Sequence, residues 1–160
     1  MNRLLALLAV LFALAAPACT NLLVGKKASK NGACFITYSA DSYGMYGRML
    51  HYPAGKHAPG TMRKIVDGDT HKPLGEIPEA PYTYNVVGNI NEHQVAITET
   101  TFGGREELWP KNPVGGIDYV SLMALGLQRA KTAREAIRVM TDLVARYGYA
   151  SEGESFSVAD

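Results

Sequence analysis

The chain has 160 residues, 47% of them hydrophobic, and 16 Lys and Arg against 15 Asp and Glu give a formal net charge of +1. This length suits one domain with a modest core. Because acidic and basic residues are mixed along the chain, there is no basic face for nucleic acid and no polybasic segment for a membrane surface. Two cysteines are too few for a disulfide framework.

The first 18 residues have the features of a secretory signal peptide. A short positive region precedes an apolar run over residues 4–15, and the small residues Ala16 and Ala18 suit signal peptidase. We expect cleavage after Ala18 and export to the periplasm or the extracellular space. We expect no stable membrane association, since the apolar run is short for a membrane span. Residues 19–160 then form part of a single domain.

Cleavage at this site makes Cys19 the first residue of the mature protein. A cysteine with a free α-amine combines a nucleophile with a proton acceptor, because the amine titrates near neutrality and the thiol needs a base. One alternative is a lipoprotein with a lipidated Cys19, but Ala16 and Pro17 make a poor lipobox, and we favour simple cleavage. The other alternative is a buried thiol at the start of a strand. The junction alone does not separate that role from catalysis.

A hairpin is predicted directly after Cys19. Residues 20–24 form an apolar β run, and the polar segment that follows ends in Asn-Gly, a strong hairpin signal before a returning strand over 33–39. This hairpin brings Asp41 back near Cys19, where a carboxylate can orient the α-amine or stabilise its protonated form. The alternative for Asp41 is a simple turn residue.

Other reactive side chains have structural interpretations. Cys34 lies in the returning strand and is expected to fill space in the core. The four histidines lack the spacing of a metal site. Asp67, Asp69 and His71 alternate, but a polar loop is the better interpretation without further ligands. We expect no metal and no organic cofactor.

Residues 44–81 are predicted to form a long loop with short strands, and such a loop can determine substrate specificity. A second hairpin is predicted after this loop. The hairpin pairs strands over 84–90 and 94–101. Backbone amides at its end, with Thr100 and Thr101, are candidates for holding an oxyanion. Threonine is also simply a good strand residue, which is the alternative.

Two helices and a final strand complete the chain. Asp118 is the predicted N-cap of the first helix, and Thr132 opens a capping box for the second helix, which stops at Gly148. The second helix has an apolar stripe of Ile137, Met140, Leu143, Val144 and Tyr147, expected in the core. A strand over 155–159 then stops at Asp160 with no evident turn or partner, so we expect the chain to be cut off within an element.

These stretches together resemble the secreted dipeptidases of the dipeptidase A type, a family of N-terminal nucleophile hydrolases. The resemblance covers nearly the whole chain after residue 18. Seven motifs carry it, and they are CTNLLVGKKAS from Cys19, ADS around Asp41, HYPAGKH from His51, GEIPEAP from Gly75, NINEHQVAITETTFGG from Asn89, TAREAI from Thr132 and the terminal GESFSVAD. It implies an α+β fold of the αββα four-layer sandwich type, incomplete in this chain. That plan is similar to the plan of choloylglycine hydrolases and penicillin V acylases.

The resemblance also implies site residues. It makes Cys19 the nucleophile, and the R-N-x-D pattern of the related acylases aligns with residues 38–41, so Asp41 matches and Tyr38 replaces the arginine. Thr101 stands where those relatives carry an oxyanion-hole asparagine, of which only the backbone N–H is retained. The remaining oxyanion side chain and a later arginine of the family are expected beyond Asp160.

The activity implied by the resemblance is that of a cysteine-type dipeptidase, which hydrolyses dipeptides or short peptides with a free amino terminus through an acyl-thioester. The substrate ammonium needs a carboxylate such as Glu99, although Glu99 is alternatively a solvated strand residue. The alternative functions are a linear-amide hydrolase of the bile-salt or penicillin V acylase type, and a lipid-anchored binding protein without activity. Because one sheet would lack strands, we expect residues 19–160 alone to be aggregated or partly molten and inactive.

Overall fold

A computed structural model of the chain describes residues 19–41, 49–109 and 115–160. Strands and helices are mixed along these residues, which confirms the predicted α+β class. The predicted signal peptide and residues 44–48, the beginning of the predicted loop over 44–81, lie outside the described residues. Among the described residues, no helix is both long and apolar enough to cross a membrane.

The first hairpin forms as predicted. Strand β1, Thr20–Val24, pairs antiparallel with β2, Phe35–Ser39, and Thr20 lies opposite Ser39 while Val24 lies opposite Phe35. The second strand begins two residues later than expected, because residues 33 and 34 still belong to the connection. This register places Cys19 and Asp41 at the same end of the hairpin.

The long segment after this hairpin contains short strands, as predicted. They are β3, His51–Tyr52; β4, Gly55–Lys56; β5, Met62–Val66; β6, Pro73–Pro78; and β7, Tyr82–Thr83. Strand β5 pairs with β6, and β4 pairs with β7, both antiparallel. In the β5–β6 turn, Asp67 Oδ1 accepts hydrogen bonds from the backbone N–H groups of Asp69 and Thr70. This is the predicted polar turn, and no group of potential metal ligands occurs among the described residues.

The largest sheet of the described chain has five strands in the order β11-β10-β9-β8-β3. Its further members are β8, Val86–Val87; β9, Ile90–Asn91; β10, Ala96–Gly103; and β11, Gly153–Ala159. The predicted continuous strand over 84–90 is wrong, because Gly88 adopts φ +55° and turns the chain so that β8 pairs with β9. The expected lack of a partner for the final strand is also wrong. Strand β11 pairs with β10 from Ala96 opposite Ala159 to Gly103 opposite Gly153.

Both predicted helix starts are confirmed. Helix α1, Tyr119–Arg129, has Asp118 as its N-cap, and the Asp118 side chain accepts a hydrogen bond from Ser121 N. Helix α2, Ala133–Tyr147, has Thr132 as its N-cap and ends at Gly148, which adopts φ +85°. The apolar stripe of α2 is only partly in the core, because Ile137 is 50% exposed while Met140 and Leu143 are buried.

The helices pack on the sheet at a small residue. Gly126 of α1 faces Met140 of α2 and Ile97 of β10, and a Cβ atom at this glycine would lie 3.0 to 3.1 Å from their side chains. Helix α1 therefore lies close to both neighbours only because residue 126 has no side chain. The core of the described chain consists mainly of aliphatic residues from α1, α2 and the strands, including Ile65, Ile77, Val86, Val95, Ile97, Leu122, Leu125, Leu127, Met140 and Leu143.

A buried asparagine ties the sheet to the end of α1. Asn91 is 5% exposed, and its Nδ2 donates to the backbone carbonyls of Leu127 at 2.8 Å and Ala130 at 2.7 Å. Its Oδ1 accepts from the backbone N–H groups of His93 and Val95. One side chain thus satisfies two carbonyls at the helix end and two amides in the β9–β10 turn, which would otherwise lack partners.

We expect Asn91→Ala to lower the free energy of unfolding by about 2 to 4 kcal/mol, because it leaves several backbone groups without partners away from water. Chemical denaturation of the two proteins measures this difference. Asn31→Ala is the matched control, since Asn31 accepts one backbone hydrogen bond in an exposed turn and should cost under about 1 kcal/mol. Equal losses in the two variants would contradict the bridging role of Asn91.

Candidate functional site

The candidate nucleophile lies at the beginning of the first hairpin. Cys19 directly precedes β1 and is half-buried, and its thiol is free. Side chains two residues apart on a strand point to the same face, so Cys19 and Asn21 share one face of β1. Asn21 lies directly opposite Tyr38 in the hairpin, which brings Tyr38 to that face as well.

Asn21 attaches this face of the hairpin to β10. Its Nδ2 donates to the backbone carbonyl of Glu99 at 2.8 Å and to Thr100 Oγ1 at 2.7 Å. Cys19 is two residues away, which is about 7 Å along a strand. Cys19 therefore lies about two strand residues from the point where Asn21 contacts Glu99 and Thr100 of β10.

Glu99 is the most deeply buried ionisable side chain of this region. It is 1% exposed, and its carboxylate accepts a hydrogen bond from the Tyr38 hydroxyl. The Thr101 hydroxyl lies 3.4 Å from its second oxygen. The alternative interpretation of Glu99 as a solvated strand residue is therefore wrong. The sequence feature that indicates a site role for Glu99 is its position two residues before Thr101, which places both side chains on the same face of β10.

Glu154, which sequence reasoning missed, supplies a second carboxylate. It lies on β11 opposite Thr101, and the Thr101 hydroxyl donates to its Oε1 at 2.8 Å. Burial raises the pKa of Glu154 to about 8, and hydrogen bonding and charge repulsion from Glu99 add to this effect. Glu154 therefore keeps its proton to a higher pH than an ordinary glutamate does, and we call Glu99 and Glu154 the carboxylate pair.

Tyrosines surround the carboxylate pair. The pKa of Tyr38 is raised, chiefly by burial. Its hydrogen bond to Glu99 and the electrostatic effects of Glu99 and Cys19 raise this pKa further. Burial also raises the pKa values of Tyr119 and Tyr149, and Glu99 contributes to both. These phenols stay neutral over the physiological range and offer O–H donors. No Lys, Arg or His within the described ranges forms an ion pair with Glu99 or Glu154.

A cavity of about 140 Å³ adjoins this region, and its lining includes Tyr38, Tyr119, Tyr52 and Met123. Its mostly apolar lining suits a small side chain. A larger cavity of about 310 Å³ between β5 and α1 contains none of the predicted site residues.

Of the predicted site residues, Cys19 precedes the strand that Asn21 attaches to β10, and the hydroxyl of Thr101 in β10 contacts the carboxylate pair. Asp41 is exposed two residues beyond β2, at the same end of the hairpin as Cys19. The ladder between β10 and β11 is irregular between Thr101 and Gly103. Such an irregularity leaves a backbone amide outside the ladder, which suits the expected oxyanion role of this segment. The catalytic roles of all three residues stay predictions.

Cys34 lies at the opposite end of the hairpin from Cys19. It is half-buried just before β2 and is not part of the buried core, so the expectation of a core residue is wrong. Six residues of strand separate the two ends, about 20 Å. A disulfide needs Cα atoms within about 7 Å, which excludes a Cys19–Cys34 bridge within this hairpin.

We expect the free energy of unfolding to fall as the pH rises from about 4.5 to about 8, through the contribution of Glu154. The folded protein binds this proton more tightly than the unfolded chain, so the stabilisation is complete below pH 4.5 and is lost as the pH passes 8. Glu154→Gln should remove this component, and melting temperatures between pH 5 and pH 9 measure it. Glu76→Gln, at an exposed position of β6, should keep the wild-type dependence, and an unchanged dependence in Glu154→Gln would contradict the assignment.

Comparison with known proteins is consistent with this site. Residues 18–160 match the family described as Peptidase family C69. A probable dipeptidase from Latilactobacillus sakei is 31% identical to the chain, over 89% of this chain and 33% of that protein. The chain thus spans about a third of the length of that curated relative. Because the family match extends from the residue before the candidate nucleophile to the last residue of the chain, the chain belongs to peptidase family C69.

Proposed function

We propose that the chain carries the nucleophile of a cysteine-type dipeptidase that is exported and then cleaved after Ala18. The observation that supports this best is the position of Cys19, a free, half-buried thiol at the start of the hairpin that Asn21 attaches to β10 beside buried Glu99 and half-buried Glu154. The family match and the probable dipeptidase among its relatives point to the same activity.

The proposed reaction begins with proton transfer from the Cys19 thiol to its own α-amine. The thiolate then attacks the peptide carbonyl, and the C–N bond breaks as the leaving amine takes the proton from the α-ammonium. This step leaves an acyl-thioester on Cys19. The free α-amine then takes a proton from water, whose oxygen attacks the thioester, and the acid product leaves while the thiol is restored.

Asp41 and Thr101 complete the proposed machinery. An aspartate at the end of the hairpin that holds Cys19 can orient the α-amine and stabilise its ammonium form. The backbone amides around Thr101, where the β10–β11 ladder is irregular, are the proposed donors to the oxyanion. We further propose that the helix layer over the sheet and the separate hairpin belong to an αββα four-layer sandwich. In this proposal the signal peptide, residues 1–18, is removed and the domain begins at Cys19.

The substrate is proposed to be a dipeptide or short peptide with a free amino terminus. Glu99 is buried next to Glu154, and no Lys, Arg or His of the described ranges forms an ion pair with either carboxyl group. A buried charge is stable only with a partner of opposite sign, and a substrate ammonium is such a partner. The neutral acyl groups of bile-salt or penicillin V amides offer no such charge, which favours peptides over those amides.

We expect Cys19→Ala and Cys19→Ser to abolish dipeptide hydrolysis, because neither side chain replaces thiolate nucleophilicity in this site. Release of free amino acids from a panel of dipeptides measures the activity. Cys34→Ser is the matched control and should keep activity within about twofold, since Cys34 lies at the far end of the hairpin, about 20 Å away. Hydrolysis that survives in Cys19→Ala would rule out the proposed nucleophile.

N-acetylation of a good dipeptide substrate should reduce kcat/KM about 10- to 100-fold, because the acetyl group removes the charge that pairs with Glu99. Glu99→Gln should raise KM for the free dipeptide. It should also bring the kcat/KM values of the free and the acetylated dipeptide closer together. Steady-state kinetics on both substrates test this, with Glu76→Gln as the control. An enzyme that cleaves both substrates equally well would show that the carboxylate pair binds no substrate ammonium.

A further inference from the structure

We propose that Tyr38 is a positioning residue for Cys19, which acts by holding the first hairpin against Glu99 of β10. The proposal rests on the proposed function only in taking Cys19 as the nucleophile. In this proposal Tyr38 touches neither the substrate nor the reacting atoms.

The first hairpin depends on side chains for its attachment to the main sheet. Within the described ranges, β1 and β2 pair only with each other and form a separate two-stranded sheet. Leu22 and Phe35 on the outer face, and Leu23 on the face of Asn21, are at least 50% exposed, so they contribute little packing within this part of the chain. A two-stranded sheet is marginally stable by itself. The orientation of Cys19 therefore depends on the inner face of the hairpin.

Two neighbouring side chains of that inner face reach the same residue. Asn21 donates to the backbone carbonyl of Glu99, and Tyr38 donates to its carboxylate. Asn21 and Tyr38 lie opposite each other on the two strands, so each strand has its own attachment. One attachment alone lets the hairpin pivot, whereas two attachments on different strands also fix its rotation. The rotation in turn sets the direction in which the thiol of Cys19, two residues from Asn21, points.

The target of Tyr38 is well suited to hold it. Glu99 is 1% exposed and belongs to β10, which β11 pairs along its whole length. A hydrogen bond in the interior of a protein is electrostatically stronger than one in water, because the local dielectric is low. Burial and Glu99 keep the pKa of Tyr38 above its ordinary value, so the phenol keeps the proton that it donates.

Tyr38→Phe removes this hydrogen bond and keeps the ring that lines the adjoining cavity. We expect kcat to fall about 10-fold or more, with KM within twofold, because small displacements of a reacting group are costly. The half-buried Cys19 thiol should at the same time react faster with iodoacetamide, by about threefold or more. A fall in kcat together with a rise in thiol reactivity is the signature of a nucleophile that is intact and misplaced.

The alkylation rates are read by mass spectrometry of the peptides that contain Cys19 and Cys34, so Cys34 serves as an internal reference. Tyr82→Phe, at a 44% exposed tyrosine of β7, is the matched control and should leave both kcat and Cys19 alkylation unchanged. If Tyr38→Phe does not fold, Asn21→Ala removes the other attachment and carries the same expectations.

The proposal is overturned if the tested variant keeps wild-type kcat and wild-type Cys19 alkylation, or if kcat falls while the alkylation rate stays the same. Its failure is distinguishable from failure of the proposed function. An inactive Cys19→Ala with a fully active Tyr38→Phe rejects the positioning role alone, whereas an active Cys19→Ala rejects the nucleophile itself.

Discussion

The burial of Glu99 in the middle of β10 is the constraint on which the rest of this site depends. A carboxylate that is 1% exposed loses nearly all of its hydration, and the surrounding structure must replace it. Here the Tyr38 hydroxyl supplies one hydrogen bond and the Thr101 hydroxyl lies near the other oxygen. The side chains that satisfy Glu99 are therefore also those that bring the first hairpin and Cys19 to the sheet.

The same carboxylate shapes the electrostatics around it. Glu154 responds to burial and to Glu99 with a pKa raised to about 8, so the carboxylate pair avoids two adjacent negative charges. Neutral tyrosines rather than basic residues complete this surrounding within the described chain. Such an arrangement leaves two carboxyl groups without a basic partner among the described residues, which is the basis for the proposed recognition of a free amino terminus.

Behind the site, the helices and the sheet form a rigid support. Gly126 allows α1 to lie against α2 and β10 at close range, and Asn91 joins the end of α1 to the β9–β10 turn. Both features hold β10, the strand that contributes Glu99 and Thr101. Reacting groups need to be held to within fractions of an ångström, and strand β10 is therefore suited to carry them.

Local sequence signals determined much of this protein. The Asn-Gly turn predicted the first hairpin, and Asp118 and Thr132 predicted both helix starts, because turns and caps depend on hydrogen bonds within a few residues. The signal junction and the family motifs pointed to Cys19 before any contact was known.

Only the tertiary structure decided the surroundings of Cys19. Glu154 is 55 residues from Glu99 in the sequence, and no local pattern reports that β11 pairs with β10 and places the two carboxylates together. The burial of Glu99 likewise depends on Tyr38, a residue of another strand. Alternation along β10 left open whether Glu99 is solvated or buried, because period-2 patterning records the faces of one strand and not the elements that later cover them.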